Sequence, residues 1–306
     1  MRRNGVVVRV PGKVNLQLSV GPLEVDGYHE VTTVFQAIAV YDDVTVRFAE
    51  SGTGISISVT GPTASGVPAD ATNLAYRAAQ LMIDLHDLDS DIAIHIKKEI
   101  PVAGGMAGGS ADAAAVIVAF DALYELGLSR DGMEKIGAQL GSDVPFAITG
   151  QIAIGRGHGD HLTPVLARGN YNWVLAMASQ GLSTQSVYNE CDRLRTGLEI
   201  ARPQVSDQIL QALRAGDAIR VGKSLSNDLQ AAACSLRPAL RLVLDVGIDY
   251  GALGAIVSGS GPTVAFLVQD EERALDLTVA LSASGVVAGV IRATGPTHGA
   301  RVIETL

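Results

Sequence analysis

The sequence predicts an α+β protein of two domains. Three observations carry this prediction: a strand-rich opening, a glycine-rich turn that leads into an alanine-rich helix, and a second half in which strands and helices alternate. The 306 residues are 47% apolar, so the chain can bury a sizeable core, and its length fits two domains or one large one. The character of the chain changes over residues 163–172, and we therefore expect domains of residues 1–165 and 166–306.

Alternating apolar and polar residues predict the strands of the first half. Over residues 14–20 the alternation is strict, and it places Lys13, Asn15 and Gln17 on one face. Asp26-Gly27 is a strong reversal signal, which predicts a hairpin-like connection to the next apolar segment. The predicted elements are strands over residues 6–10, 14–20, 31–40, 44–48 and 55–59, a helix over 72–85 and a strand over 92–96.

Helix-capping residues set the elements that follow the glycine-rich turn. A helix over residues 111–126 has Ser110 as its N-cap and Gly127 as its stop, and Ser129 caps a second helix over 131–140 that ends at Gly141. The later predictions are a glycine-rich strand pair over residues 151–159, strands over 173–177, 263–268 and 286–293, several helices between 184 and 248, and a helix over 271–281. Strands interleaved with helices predict an α+β sandwich with its helices on one sheet face.

The charge and the cysteines exclude several classes of function. A net charge of −9 and a pI near 5.1 oppose a nucleic-acid or anionic-membrane partner, because either needs a basic surface. Cys191 and Cys234 stand far apart without a CxxC spacing, which favours two buried, unpaired thiols in a reducing compartment. We therefore expect neither a disulfide framework nor a zinc site.

Neither a secretion signal nor a membrane span is visible. Arg9 and Pro11 interrupt the apolar run near the N-terminus before it reaches signal-peptide length. Residues 113–128 are the longest other apolar stretch, but they include Asp121 and Glu125 and so predict a core helix. We expect a cytoplasmic protein without a membrane partner.

Residues 101–115, PVAGGMAGGSADAAA, have the composition of a phosphate-binding loop. Glycines let backbone N–H groups approach a ligand closely, and the free amides and dipole of a helix N-terminus favour negative charge. A Walker A loop is excluded because the segment contains no lysine, and a GxGxxG fingerprint is excluded because Met106 stands two residues after Gly104. The sequence therefore predicts a third kind of phosphate loop.

Three other segments offer chemistry, and each also has a plain alternative. Residues 258–263, SGSGPT, form either a tight turn or a second wall of the phosphate site. Asp143 is either a general base at a helix-to-strand turn or an Asx-turn residue, and Lys13 is either its cationic partner or an edge lysine facing solvent. His158 to His161 resemble a metal cluster but lack helical i, i+4 spacing, so we interpret them as a solvated loop.

Taken together, residues 101–115, 141–146 and 258–263 resemble, in order and spacing, the motifs of the GHMP small-molecule kinases. Residues 11–16 and 26–35, PGKVNL and DGYHEVTTVF, resemble the branch of that family that acts on a cytidine diphosphate-linked methylerythritol. The resemblance spans nearly the whole chain. It implies a two-domain fold, with an N-terminal domain like domain 2 of ribosomal protein S5, a ferredoxin-like C-terminal domain and a site between them.

The resemblance also implies roles for individual residues. Asp143 matches the catalytic base and Lys13 its partner, and Ser110 matches the position that touches phosphate or its Mg²⁺. The positions that match ATP contacts are Pro101, Val102, Ala103, Gly104, Gly105, Met106, Ala107, Gly108, Gly109, Ser110 and Ala111, with Asn73 and Lys98 nearby. Tyr28 and His29 match residues that stack on and hydrogen-bond the cytosine ring, and Tyr188 matches an aromatic on the other side of that ring. Asn15 and Thr184 match further substrate contacts.

The chain departs from the family pattern at three points, one of which is Ser142, where alanine is commoner. Ala107 and Ala111 stand where glycine and serine are usual, but alanine still donates its backbone N–H, so phosphate binding should survive. No acidic residue matches the glutamate with which some relatives bind Mg²⁺. The implied cofactors are ATP and Mg²⁺, and the implied protein is a monomer or weak homodimer that acts on a small molecule. The alternatives are a homoserine- or mevalonate-type kinase and a non-catalytic nucleotide-binding sensor.

Overall fold

The computed structural model describes residues 4–25, 27–102 and 104–306, which form twelve strands and ten helices. The first half contains β1 (Gly5–Leu23), β2 (His29–Phe48), β3 (Ile55–Thr60), α1 (Leu74–His86), β4 (Ile92–Lys97), α2 (Gly108–Tyr124), α3 (Arg130–Ala138), α4 (Val144–Thr149), β5 (Ile152–Arg156) and β6 (His161–Pro164). The second half contains β7 (Tyr171–Met177), α5 (Thr184–Leu194), α6 (Asp207–Ala215), α7 (Ala218–Lys223), β8 (Ser226–Asn227), α8 (Gln230–Leu236), α9 (Ala239–Asp249), β9 (Gly254–Val257), β10 (Val264–Val268), α10 (Glu271–Ser284), β11 (Gly289–Gly295) and β12 (Arg301–Thr305).

A long antiparallel hairpin of β1 and β2 forms the centre of the first sheet. Its main path runs β12-β1-β2-β4-β3, with β5 and β8 attached to β2 and β1 and β6 attached to β5. The two pairs of short strands predicted around Pro11 and Val40 are wrong, because each pair is one continuous strand. The pairing register of β1 and β2 shifts between Pro11 and Gly12, which marks a bulge. A bulge leaves one backbone position without a ladder hydrogen bond, so a proline, which has no N–H, can lie within the strand. At the predicted Asp26-Gly27 turn, Gly27 has a φ of +84°, which fits a chain reversal. Asp26 lies outside the described residues.

The alanine-rich helix α2 lies against this sheet and is buried on nearly all sides. Its neighbours include α1, β1 and β2, and Ile92, Ile94 and Ile96 of β4 belong to the same buried core. Burying each side chain of that size stabilises the fold by about 1.5–3 kcal/mol. Helix α2 begins three residues earlier than expected, at Gly108, and Ala107 rather than Ser110 is its N-cap.

The second sheet is antiparallel in the order β11-β7-β10-β9. With helices between β7 and β9 and between β10 and β11, this order is the split βαβ arrangement of ferredoxin-like domains, as expected. The indole N–H of Trp173 on β7 donates to the Gln36 side-chain oxygen on β2 at 2.7 Å, so a buried hydrogen bond joins the two sheets. Strand β9 was not predicted, because its four residues follow a helix without an alternating pattern.

The last strand of the chain returns to the first sheet. β12 pairs with β1 in antiparallel fashion, and the two-residue strand β8 also pairs with β1. Two segments of the second half therefore complete the sheet of the first half. The boundary between residues 165 and 166 stays a prediction.

Two expectations from composition concern burial. Among the described residues, no helix combines the length and the apolar character that crossing a bilayer requires. Cys191 and Cys234 are both buried and free, as expected, and burial raises the pKa of each thiol.

Candidate active site

A cleft of about 400 Å³ lies between the first sheet and the helices and loops of the second half. The glycine-rich loop and the start of α2 form one side, and the loop between β9 and β10 forms another. The lining also includes residues of β1 and β2, the N-terminus of α4 and α5. Of the two interpretations of residues 258–263, the second wall of the phosphate site is therefore the one that the geometry supports.

The two glycine-rich loops contact each other directly. The hydroxyl of Ser258 donates to the Gly105 carbonyl oxygen at 3.0 Å. Gly105 has a φ of +74°, and a Cβ there would lie 2.0 Å from the Ser258 carbonyl oxygen. Only glycine permits this approach. The glycine-rich loop of residues 101–115 therefore packs directly against the loop of residues 258–263.

No N-cap side chain accepts a hydrogen bond from the first backbone N–H groups of α2. Ala107 adopts a left-handed conformation with φ of 59°, and no side chain caps the helix. A serine N-cap would occupy an amide of the first turn, whereas this arrangement keeps Gly108, Gly109 and Ser110 lining the cleft. The absence of the predicted serine cap therefore favours anion binding at the start of α2.

Not every residue of the predicted loop faces the cleft. Met106 and Ala111 are buried in the core, and the Met106 carbonyl oxygen accepts from the Lys13 backbone N–H at 3.3 Å. The cleft lining includes Pro101, Gly104 and Ala107, while Val102 lines an adjoining hollow. Ala103 lies outside the described residues.

Lys13 is buried in the cleft wall, which rules out the alternative of an edge lysine facing solvent. Its Nζ donates to the Asn15 side-chain oxygen at 2.6 Å, and the Asn15 amide nitrogen donates to the Thr33 hydroxyl at 2.8 Å. Burial lowers the pKa of Lys13, and attraction to Asp143 opposes that change. Asn15 therefore shares a face with Lys13, as the alternation predicts, and sets the direction of the Lys13 ammonium.

Asp143 lies at the N-terminus of α4 and not at a helix-to-strand turn. The strand expected after Asp143 is wrong because Pro145 occupies the first turn of a helix, where its missing N–H costs nothing. No hydrogen bond joins the Asp143 side chain to the backbone N–H groups of α4. The carboxylate lines the cleft with Lys13, and the buried residues Val144 and Phe146 lie behind it as expected.

Aromatic side chains form the far end of the site. Tyr28 stacks on His158 with ring centroids 5.1 Å apart. His158 lies in an exposed turn, in agreement with the interpretation as a solvated loop, and it also lines the cleft. Tyr188 also lines the cleft, and burial raises its pKa to about 12. The hydroxyls of Thr184 and Ser260 lie 3.0 Å apart, which joins α5 to the second glycine loop.

The His29 side chain contacts other groups of the protein through both ring nitrogens. Its Nδ1 lies 2.9 Å from the Gly21 carbonyl oxygen, and its Nε2 lies 3.3 Å from a carboxylate oxygen of Asp192. A carbonyl only accepts, so Nδ1 is the donor in this contact, and Nε2 lies beside the Asp192 carboxylate. The ring is buried beside Tyr188 at 5.3 Å. In this arrangement the side chain supports Tyr188, and the hydrogen bond from His29 to the cytosine ring stays a prediction.

The side chains of Asn73 and Lys98 also form hydrogen bonds within the protein. The Asn73 oxygen caps α1 by accepting from Ala75 N–H at 2.8 Å, and its amide donates to the Pro68 carbonyl. The Lys98 ammonium is only 2% exposed and lies behind the glycine loop against Asp42 and Asp112. These hydrogen bonds occupy both side chains within the protein, and the proximity of Asn73 and Lys98 to a nucleotide stays a prediction.

Sequence reasoning missed His158, Asp42 and Asp112. A signal existed for Asp112, because a carboxylate inside an alanine-rich, buried helix needs a partner. No local signal identified Asp42 or His158, whose partners are distant in sequence. Within the described ranges, no group of three or more His, Cys, Asp or Glu side chains could hold a metal ion.

Both halves of the chain match known domains. Residues 73–151 match the GHMP kinases N terminal domain, and residues 209–287 match the GHMP kinases C terminal domain. The first match contains the glycine loop and Asp143, and the second contains the second glycine loop. The fold and the cleft therefore define a GHMP kinase.

Relatives over nearly the full length narrow the assignment. The chain is 52% identical over 300 residues to a 4-diphosphocytidyl-2-C-methyl-D-erythritol kinase of Mycolicibacterium smegmatis, covering 97% of this chain and 92% of that one. It is 50% identical over 309 residues to the protein of the same name in Leifsonia xyli, covering 98% and 99%. A crystal structure of a 4-(cytidine 5'-diphospho)-2C-methyl-D-erythritol kinase matches with a TM-score of 0.76 at 31% identity, covering 94% and 98%. The chain belongs to the family of these kinases.

Proposed function

We propose that this chain transfers the γ-phosphoryl group of ATP to the C2 hydroxyl of 4-diphosphocytidyl-2-C-methyl-D-erythritol, a step of non-mevalonate isoprenoid precursor synthesis. The observation that carries the proposal is a single cleft lined by Lys13 and Asp143 together with the glycine loop and the aromatic side chains of Tyr188 and His158. The names of the 50–52% identical relatives support the choice of substrate.

In phosphoryl transfer, the protein mainly positions the reactants and stabilises negative charge. Asp143 accepts the hydroxyl proton while the substrate oxygen forms a bond to the γ-phosphorus. The bond from that phosphorus to the β-bridging oxygen breaks, and its electron pair leaves with ADP. The Lys13 ammonium, directed by Asn15, stabilises both the Asp143 carboxylate and the negative charge on the phosphoryl oxygens.

Mg²⁺ fits this site as a partner of the nucleotide phosphates. Magnesium keeps several waters and needs only one or two protein oxygens when phosphates supply the rest, so the lack of a carboxylate cluster among the described residues is no obstacle. The Ser110 hydroxyl lies in the first turn of α2, near the segment that carries Asp143: a Cβ added to Gly141 would be 3.9 Å from it. We propose Ser110 as the protein ligand. When bound, the ion would neutralise phosphate charge.

Substituting Tyr188 by alanine tests the base-binding end. We expect the KM for the cytidine substrate to rise by about 10- to 100-fold, because stacking of a base on an aromatic ring contributes about 1–3 kcal/mol. The KM for ATP should stay within about twofold, since the phosphate loop is built from other elements. Tyr250→Ala, at an exposed tyrosine after α9, is the matched control. An equal rise in both KM values would contradict the assignment of this end to cytosine.

A substrate comparison tests the proposed function. We expect ADP release with 4-diphosphocytidyl-2-C-methyl-D-erythritol and none above background with homoserine or mevalonate. Activity confined to either alcohol would reject the substrate and leave a GHMP kinase. Binding of ATP and cytidine diphosphate with no ADP from any substrate would instead support a nucleotide-binding sensor on this fold.

The remaining partner assignments are also proposals. The net charge of −9 supports independence from nucleic acid and from anionic membranes. We propose a cytoplasmic enzyme that works on a small molecule as a monomer or weak homodimer.

A further inference from the structure

Both ends of the glycine-rich loop are tied to one buried ammonium. Lys98 Nζ lies 2.6 Å from Asp42 Oδ2, 2.6 Å from Asp112 Oδ2 and 2.9 Å from the carbonyl oxygen of Gly108. An ammonium has three N–H donors, so all three are used. Lys98 and the two carboxylates are 0–2% exposed, so these contacts form away from water.

Asp42 connects the ammonium to the residues that enter the loop. Its second oxygen accepts the backbone N–H groups of Glu99 at 2.6 Å and Ile100 at 2.9 Å, directly before Pro101. The loop is thus held on its entering side through a strand of the neighbouring hairpin. Charge-assisted hydrogen bonds of this kind are roughly twice as strong as neutral ones.

The exit of the loop is held by the same Lys98 ammonium. Gly108 is the first residue of α2, and Asp112 follows one turn later. A Cβ on Gly108 would lie 3.0 Å from Lys98 Nζ and 3.2 Å from a methyl carbon of Ile100, so glycine makes room for the ammonium. Ala107, between the loop and the helix, has a φ of 59°, a left-handed conformation that L residues rarely adopt without surrounding support.

We propose that Lys98, Asp42 and Asp112 form a clip that holds the glycine-rich loop in its phosphate-binding shape. Lys98 is then a positioning residue for ATP that acts through the loop. The inference rests on the proposed function, because that proposal assigns ATP to this loop. It predicts that opening the clip weakens nucleotide binding and leaves the cytidine end unchanged, since Tyr188 and Tyr28 lie on other elements.

Asp42→Asn is the decisive variant. An asparagine oxygen can still accept from Glu99 and Ile100, but its amide then turns N–H donors toward the Lys98 ammonium and breaks the entering link. We expect the KM for ATP to rise by about 10- to 100-fold, the effect of losing one buried charge-assisted hydrogen bond. The KM for the cytidine substrate should stay within about twofold. Asp43→Asn is the control, because the adjacent Asp43 pairs with Arg9 on the surface and should leave both KM values unchanged.

Lys98→Met, with the exposed neighbour Lys97→Met as its control, repeats the test from the other partner. Circular dichroism establishes that each variant is folded. A purely structural role would lower the unfolding temperature and leave both KM values of the folded enzyme alone, so wild-type affinity for ATP in folded Asp42→Asn or Lys98→Met would overturn the clip. A parallel rise in both KM values would overturn it as well.

One measurement needs no variant. Hydrogen exchange of the wild-type chain should find the Glu99 and Ile100 amides among its slowest, and exchange as fast as in exposed turns would contradict the clip. Calorimetry with a non-hydrolysable ATP analogue measures nucleotide affinity without turnover. Failure of the wild-type chain to phosphorylate the cytidine substrate therefore rejects the proposed function, whereas unchanged analogue affinity in the folded variants rejects the clip.

Discussion

Replacing Asp143 by asparagine is expected to lower kcat by about 10²- to 10⁴-fold with ATP binding retained, because general base catalysis contributes about that much to a rate. The attacking group of the proposed substrate is a tertiary alcohol, since C2 carries the methyl group. Such a hydroxyl is weakly acidic, so its oxygen attacks readily only when a base takes its proton. Asparagine keeps the size of the side chain and has no basic oxygen.

The measurement is steady-state turnover with saturating ATP and cytidine substrate, together with calorimetric binding of an ATP analogue. Asp131→Asn provides the control, because Asp131 is an exposed carboxylate on α3 that pairs with Lys135. Turnover of Asp143→Asn within a few fold of wild type would remove Asp143 from the mechanism. Loss of analogue binding would assign it a role in holding the nucleotide instead.

Lys13→Met is the change with the second-largest expected effect. We expect kcat to fall by about 10²- to 10³-fold, the cost of removing one preorganised group that stabilises developing negative charge. The wild-type pH profile carries a further prediction. Burial lowers the pKa of Lys13, so its ammonium loses the proton at a lower pH than an exposed lysine does. Wild-type activity should therefore decline on the alkaline side at a pH below the ordinary lysine range.

Two comparisons decide whether Lys13 causes that decline. The residual activity of Lys13→Met should lack the alkaline decline, and Lys135→Met, at an exposed lysine on α3, should reproduce the wild-type profile. An identical alkaline limb in Lys13→Met would show that another group titrates. A Lys13→Met enzyme with normal kcat would overturn the role of the ammonium in the proposed transfer.

Local sequence signals predicted the glycine loop, its place between a strand and a helix, and the alternation that puts Lys13 and Asn15 on one face. These features depend on residues within a few positions of one another, where glycine conformation and strand periodicity act directly. The continuous strands β1 and β2 were not predicted, because a bulge at Pro11 absorbs the proline and only pairing with the opposite strand reveals it.

Long-range contacts account for the rest of what the sequence left open. His158 meets Tyr28, and Lys98 meets Asp42, across separations that no periodicity spans. The resemblance to known kinases placed His29 and Lys98 near ligands. The structure adds that their side chains are already hydrogen-bonded within the protein. Residue type alone cannot distinguish a side chain that binds a ligand from one that supports its neighbour.

The central claim is that the chain phosphorylates the C2 hydroxyl, and proton-coupled ³¹P NMR of the product tests it most directly. C2 carries no hydrogen, so a phosphate monoester there should appear as a new singlet that grows in step with ADP. Phosphorylation at the C1 methylene would give a triplet, and at C3 a doublet. Either of those patterns, or no new phosphate monoester signal beside the diphosphate resonances, would contradict the account.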